Sequence, residues 1–256
     1  MIVKTIRRYP VKSLLGEDVS GVRVTERGLD GDRVRAVLDV ATGKIASAKN
    51  PRLWRGLLAL HGSAVPGDEE LSELLGREVR VVDVPPAGAE LERSVPEEVL
   101  GKGVEADVAF TVSQVGGIAP PGTFFDFAPV HLMTTSTLAA IGELSPRGTV
   151  EAVRYRPNLV IGTDEPGFVE NGWVGRELEI GDELVLQIVI PTPRCAVPTL
   201  AHGESPRDPD ALRTVARHNR VDIPGLGSEP CAGVYARVLR PGAIATGDPV
   251  RLRPAG

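Results

Sequence analysis

Apolar positions in this chain fall in short β-branched runs, each closed by Gly, Pro or Asp, from one end to the other. The runs are Ile2–Ile6, Val22–Thr25, Val34–Val40, Leu57–Leu60, Val79–Val84, Leu159–Ile161, Leu184–Ile190 and Val234–Leu239, and each reads as a strand. Short strands with turn residues at every corner suit barrels or sandwiches better than a βαβ pattern. Within Leu184–Ile190, Leu184, Leu186, Ile188 and Ile190 alternate with Val185, Gln187 and Val189, which predicts a strand largely buried on both faces. Helical periodicity is confined to three stretches. Asp68–Leu75 aligns Leu71, Leu74 and Leu75 and stops at Gly76, the residue type for a left-handed C-terminal cap. Thr137–Leu144 carries a similar stripe, and Asp208–Asn219 groups Leu212, Val215 and Ala216 behind two acids suited to a helix N-terminus. These helices are expected to plug or cover barrel ends.

Two stretches lack either period: Val84–Val104, with Pro85, Pro86 and Pro96, and the segment from Gly116-Gly117 to Pro120-Pro121-Gly122. Both read as connections, and a domain boundary is placed near residue 100. A chain of 256 residues has room for one large or two modest domains.

Composition then narrows the partners. The formal net charge of -5 disfavours phosphate backbones and anionic lipid, and aromatics at 4% leave no base-stacking platform, so nucleic acid is not expected. No apolar run reaches the ~18 residues of a membrane span, and the basic N-terminus is followed by no apolar signal region, so a cytoplasmic location without membrane contact is expected. Cys195 and Cys231 form no CxxC pair, and His61, His131, His202 and His218 form no cluster, so neither a disulfide framework nor a zinc site is indicated.

Candidate chemistry gathers at strand ends. Ile190-Pro191-Thr192-Pro193-Arg194-Cys195-Ala196-Val197-Pro198 reads as a proline-stiffened loop after the long buried strand. Arg194 would favour the Cys195 thiolate, the form that binds metal or attacks an electrophile. A small buried hydrophobe fits the same loop, and the loop alone does not separate the two. Cys231 enters an apolar strand with no cation beside it and reads as an inert core thiol. Lys12 and Ser13 on a proline-set turn, Arg33 at the end of a glycine turn, and Arg154, Arg156 and Asn158 ahead of Leu159–Ile161 are each ordinary surface groups when taken singly. Together, in an acidic chain, they suggest one basic pocket for a small anion, with arginine forks on phosphate oxygens. No GxxxxGK[ST], GxGxxG or GxSxG occurs, so nucleotide sites and a hydrolase triad are disfavoured.

Taken in order, these segments resemble the MOSC family, in particular its longer members with an additional N-terminal β-barrel domain: the mitochondrial amidoxime-reducing component and its bacterial relatives. Tyr9–Ser13 is similar to the family's Tyr-Pro-Val-Lys-Ser turn and Gly28–Arg33 to its Gly-Leu-x-x-Asp-Arg segment. Ala46 and Lys49–Leu53 resemble the segment that follows, and Phe127–Leu138 resembles the start of the MOSC domain. Arg156–Val160 matches Arg-Pro-Asn-Ile/Leu-Val, and Arg194-Cys195 matches the Pro/Ser-Arg-Cys loop. The chain departs from the family's usual Ser-Glu-Ala-Ser turn at Thr134-Thr135-Ser136-Thr137.

The resemblance implies a mainly β protein with a few short helices: a smaller N-terminal MOSC-type β-barrel domain over residues 1–100 and a MOSC β-barrel domain over 101–256. It implies a molybdenum ion held by the dithiolene of molybdopterin and by the Cys195 thiolate, a soft ligand suited to such a site. It further implies that Lys12, Ser13, Arg33, Arg156 and Asn158 contact the pterin and its phosphate, with Thr134, Thr192 and Arg194 placed there by their positions in matching segments. The implied activity is reduction of small N-oxygenated molecules such as hydroxylamines or amidoximes. No C-terminal cysteine cluster for a fused [2Fe–2S] domain is present, so electrons are expected from a separate reductase or ferredoxin-type protein. Two other readings stay open: a cofactor or sulfur carrier using Cys195 without redox turnover, and a scaffold that only binds a partner.

Overall fold

The computed structural model describes residues 1–254. Of the eight β-branched runs, three pair in smaller sheets and four, Ile2–Ile6, Leu159–Ile161, Leu184–Ile190 and Val234–Leu239, become strands of one large sheet. Its strands lie in the order Val250–Leu252, Glu177–Ile180, Leu184–Pro193, Gly227–Arg240, Val130–Thr134, Leu159–Gly162, Ile2–Arg8 and Glu17–Val19, with Arg220–Ile223 paired onto Gly227–Arg240. Neighbours are antiparallel except Val130–Thr134 and Leu159–Gly162, which run parallel. The sheet curls until its ends meet. Ile2 bridges Pro249, the Val3 N–H donates to the Asp248 carbonyl at 2.9 Å, and the Val250 N–H donates to the Met1 carbonyl at 3.0 Å. This closure pairs backbone groups that would otherwise form an open edge.

Alternation along the strands fills the barrel. Val3, Leu132, Leu159, Leu178, Leu186, Ile188 and Val234 are all buried in one cluster, each contributing roughly 1.5–3 kcal/mol relative to exposure. A second core, of Val11, Leu14, Val37, Ala46, Trp54, Leu57, Leu71 and Val79, sits over the antiparallel pair Ala36–Asp39 and Val79–Val82. The chain is thus mainly β, with short helices. Asp68–Leu75 is one of these, and it ends on Gly76 at φ 64° as its sequence predicts. Thr135–Leu144 starts at Thr134, whose side chain accepts the Thr137 N–H at 3.1 Å. It packs with Asp210–His218 on Met133, Tyr155 and Ala232. Met133 points away from the barrel core that holds Leu132, so these two helices cover the outer face of the sheet.

Three local expectations are corrected. Leu57–Leu60 is not a strand: Arg55–Ala59 is a 3-10 turn continuing from the helix Pro51–Trp54, and it sends Leu57 and Leu58 into two different cores. Val84–Val104 is not a bare connection. It holds the strand Glu90–Ser94, paired with Phe110–Gln114, and the helix Pro96–Lys102. Its prolines and acids are helix-start chemistry, with Pro96 in the first turn beside Glu97 and Glu98 and with Lys102 in the last turn. Finally, Pro191-Thr192-Pro193 belongs to the strand, not to a loop after it. The register with Gly227–Arg240 shifts between Ile188 and Ile190 and again between Pro191 and Pro193, irregularities where a proline without an N–H is tolerated.

Candidate functional site

The strand Leu184–Pro193 runs out against a cavity of about 370 Å³, and Cys195, two residues further on, lines it half-buried. The Arg194 N–H donates to the Pro230 carbonyl at 2.8 Å, and Cys195 packs on Ala48, Leu58, Val197 and Leu200, so the thiol is held from both sides. Cys231, in register with Pro193 on the adjacent strand, is buried, and burial pushes its thiol up to about 12. It remains protonated at neutral pH and faces the core.

The structure brings Lys12, Ser13, Arg33, Arg156, Asn158 and Arg194 to the same cavity. Their backbones are informative. Among the described residues, the non-glycine residues with positive φ are Ser13 at 64°, Arg33 at 50° and Arg156 at 57°, and all three line it. Each such conformation costs on the order of 1–3 kcal/mol and persists only where the surroundings enforce it. For Arg33 and Arg156, Tyr9, completely buried, is the enforcing centre. Its carbonyl accepts the Arg33 N–H at 2.7 Å, its N–H donates to Asp32 at 2.6 Å, and its hydroxyl donates to the Pro157 carbonyl at 3.1 Å. The guanidinium groups of Arg33 and Arg156 lie over its ring at 4.7 and 4.3 Å from the centroid.

Asn158 has its polar atoms committed inside the protein. Its amide donates to the Arg7 carbonyl at 3.1 Å and to Asp32 at 3.0 Å, and its oxygen accepts from the His131 N–H at 3.1 Å and from Arg33 at 3.3 Å. It ties the first strand to the barrel and holds Asp32, the carboxylate paired with Arg33. Two sequence-predicted residues lie outside the cavity lining. Thr134 caps its helix and donates to the buried Glu170 at 2.7 Å. Thr192 is buried in the strand, its hydroxyl without a protein partner.

Four lining residues escaped the sequence reading. Asp126 accepts from both Lys12, at 2.6 Å, and Lys49, at 2.8 Å. Burial opposes its ionisation, but the two ammonium charges outweigh that and hold the carboxyl well below its usual range. Burial in turn pulls Lys12 down to about 8. Arg93, from the strand Glu90–Ser94, is the third of the four. His131 is the last, kept neutral by burial and by the Arg194 charge. Its Nδ1 lies 3.2 Å from the Arg156 carbonyl and its Nε2 3.5 Å from an Arg194 nitrogen, so a proton on Nδ1 lets the ring donate to the first and accept from the second. Gly233 makes room for it: a Cβ there would stand 2.6 Å from Nε2. Lys49 and His131 sit inside the segments similar to the family, and Asp126 directly precedes one. Arg93 belongs to no motif.

Six cations line the cavity, Lys12, Arg33, Lys49, Arg93, Arg156 and Arg194, against one lining carboxylate, Asp126. Arg93, Arg156 and Arg194 make no ion pair among the described residues, and Arg156 Nη1 and Arg194 Nε are buried without a hydrogen-bond partner. Orphaned buried donors on charged groups are costly, and an anionic ligand would satisfy them. Among the described residues no three His, Cys, Asp or Glu side chains converge as a metal site. A metal at Cys195 would therefore bring most of its ligands with it. An anionic, sulfur-rich metal complex fits both features.

Comparison with known proteins agrees with this layout. The model of the MOSC domain matches residues 120–251 and that of the MOSC N-terminal beta barrel domain matches residues 1–68. The chain belongs to the MOSC-domain family, whose members are associated with molybdenum-cofactor sulfurase-type and oxidoreductase-type proteins. Among solved structures, the YuaD protein from Bacillus subtilis shares the fold, with a TM-score of 0.50 and 13% identity over 98% of this chain and 96% of that one. YiiM from Geobacillus stearothermophilus is similar over 50% of this chain and 55% of its own, with a TM-score of 0.37 and 17% identity. No curated protein matches the chain significantly.

Proposed function

We propose that this chain is a molybdenum-cofactor-binding oxidoreductase that reduces N-oxygenated small molecules with electrons from a separate reductase or ferredoxin-type protein. The observation that carries the reading is the cavity itself, in which a half-exposed cysteine faces arginines with unpartnered buried N–H groups. Cys195 would supply the protein ligand to molybdenum. Arg156 Nη1 and Arg194 Nε, with Lys12, Ser13 and Arg33, would hold the anionic pterin and its phosphate. When bound, the cofactor supplies two-electron chemistry that removes the oxygen from nitrogen. The chain's own residues position and neutralise it. Tyr9 and Asp32 fix Arg33, His131 aligns the Arg156 backbone with the Arg194 side chain, and the seat on Ala48, Leu58, Val197 and Leu200 keeps water from one side of Cys195.

The test is elemental analysis for molybdenum, with fluorescence of the oxidised pterin, on wild type and Cys195→Ala from a host that makes the cofactor. Near-stoichiometric metal and pterin in wild type, with metal lost or electronically altered in the mutant and N-reduction abolished, is the expected result. Cofactor present without any reduction of N-hydroxylated compounds by an artificial donor would favour the carrier reading. Absence of molybdenum and pterin under conditions that load a known molybdoenzyme would overturn the oxidoreductase reading and favour the carrier or partner-binding readings.

A further inference from the structure

Cations line the cavity in two groups that differ in how they are held. Arg33 and Arg156 stack on Tyr9 and carry strained backbones, and Arg194 abuts His131. Lys49 and Arg93 form the second group: both line the cavity that Cys195 lines, and neither stacks on Tyr9 nor carries a strained backbone. Arg93 has no ion pair and no side-chain hydrogen bond among the described residues, although its strand is firmly placed. The Ile45 N–H donates to the Glu90 carbonyl at 2.8 Å, the Ser94 N–H donates to the Lys49 carbonyl at 3.0 Å, and the Asn50 amide donates to Glu92 at 2.7 Å. Glu92 is spent on Asn50 and Lys44, and strand alternation sends Arg93 to the other face, where it lines the cavity. A partly buried cation presented by a pinned strand, with no protein partner, is free to take an anion that enters the cavity.

Arg93 also lies in the stretch between residues 68 and 120, outside both matched family spans. The common cofactor frame therefore does not account for it, whereas a substrate contact particular to this chain does. The same cavity is lined by Leu226, 57% exposed, and by Phe127 and Ile190, which add apolar surface. We propose that Arg93 and Lys49 form an anion-accepting subsite in the cavity that Cys195 lines, so that this chain prefers N-oxygenated substrates with an apolar body and a carboxylate. This rests on the reductase reading above. Arg93 would hold the carboxylate by a two-pronged charge-assisted bond, with Lys49 reinforcing the field and Leu226 and Phe127 covering the body.

The test compares benzamidoxime with its 4-carboxy derivative on the full chain purified with its cofactor, using wild type, Arg93→Gln and Arg93→Lys. Dissociation constants are measured by calorimetry, molybdenum content by elemental analysis, and turnover with a chemical reductant on the same preparations. Wild type is expected to bind the carboxylate at least about tenfold tighter, the Gln variant to lose most of that ratio and the Lys variant to keep part of it. Molybdenum content should be equal in all three. Equal affinities in wild type, or a ratio untouched in Arg93→Gln, would sink the subsite. Loss of molybdenum in Arg93→Gln would also overturn it, by assigning Arg93 to the cofactor. Tight carboxylate binding without reduction of either compound would leave the subsite standing and remove the reductase reading. Reduction of both compounds with equal affinities would do the reverse.

Discussion

Arg154 and Arg156 stand two residues apart and are used in opposite ways. Arg154 is completely buried and spends every guanidinium nitrogen: on Glu151 at 2.6 Å, on the Leu200 carbonyl at 3.1 Å and on the Pro206 carbonyl at 2.8 Å. Arg156 sits at φ 57°, donates to the Leu14 carbonyl at 2.7 Å, and keeps Nη1 buried and unpartnered, with no carboxylate beside it. Burial pulls it down to about 10, which still leaves it charged at neutral pH. The first arginine cross-links three segments of the fold, while the second is a charge held ready for a ligand. Burial alone does not separate them. Satisfaction of their N–H groups does.

The contrast can be broken most directly at Arg154. Arg154→Met strands the buried Leu200 carbonyl, frees the Pro206 carbonyl and leaves Glu151 without its partner, and is expected to cost about 3–5 kcal/mol in urea unfolding. A loss below about 1 kcal/mol would deny its structural role. Arg156→Gly should behave in reverse. Glycine accepts the positive φ, so stability should change by no more than about 1 kcal/mol. Cofactor retention, read as molybdenum per chain, should fall by a large factor, and retention equal to wild type would remove Arg156 from the site.

A subtler probe is acid. His202 is buried, with Nδ1 3.0 Å from the Leu200 carbonyl and Nε2 unpartnered. Burial first and the Arg156 charge second push it down to about 4. The unfolded histidine takes up its proton near pH 6.5 while the folded one does not, so stability is lost as pH falls through that value and the loss levels off near pH 4. Between pH 7 and 5 this contributes a loss of about 2 kcal/mol, which His202→Asn should abolish. An unchanged pH profile in that variant would place the acid sensitivity elsewhere. The smallest effect is expected at Cys231. Its replacement by Ala should cost roughly 1 kcal/mol and leave molybdenum content alone, and loss of metal there would contradict the assignment of Cys195 as the thiolate ligand.

The barrel was legible in the sequence because its signal is local. Leu184, Leu186 and Ile188 alternate as a strand must, and Gly76 marks a helix end by its own conformational freedom. Leu57–Leu60 misled because an apolar run this short carries no period, and the helix start at Pro51 decides the outcome. At the site, the motif-borne residues Lys12, Ser13, Arg33, Arg156, Asn158, Arg194 and Cys195 were found in sequence and meet in one cavity. Which of them face a ligand was not legible. Asn158 turns its amide inward to Asp32, and the strain at Arg33 and Arg156 arises from a tyrosine far away along the chain. Lys49 and Asp126 were missed because their pairing exists only after folding brings residues 12, 49 and 126 together, and Arg93 because it sits in no motif.

The seam where Ile2 meets Pro249 has a consequence for the order of assembly. The strand Ile2–Arg8 can pair Glu17–Val19 at once through Ile6–Arg8, but one edge waits for residues 159–162 and its Ile2-Val3 end for residues 248–249. Contacts of such long range make for slow folding. The cavity walls that carry Lys12 and Cys195 are likewise far apart in sequence and converge only on folding. Loading of a ligand into the finished pocket is therefore a late event, and a bound ligand would act as a clasp on the last stage of the chain's maturation.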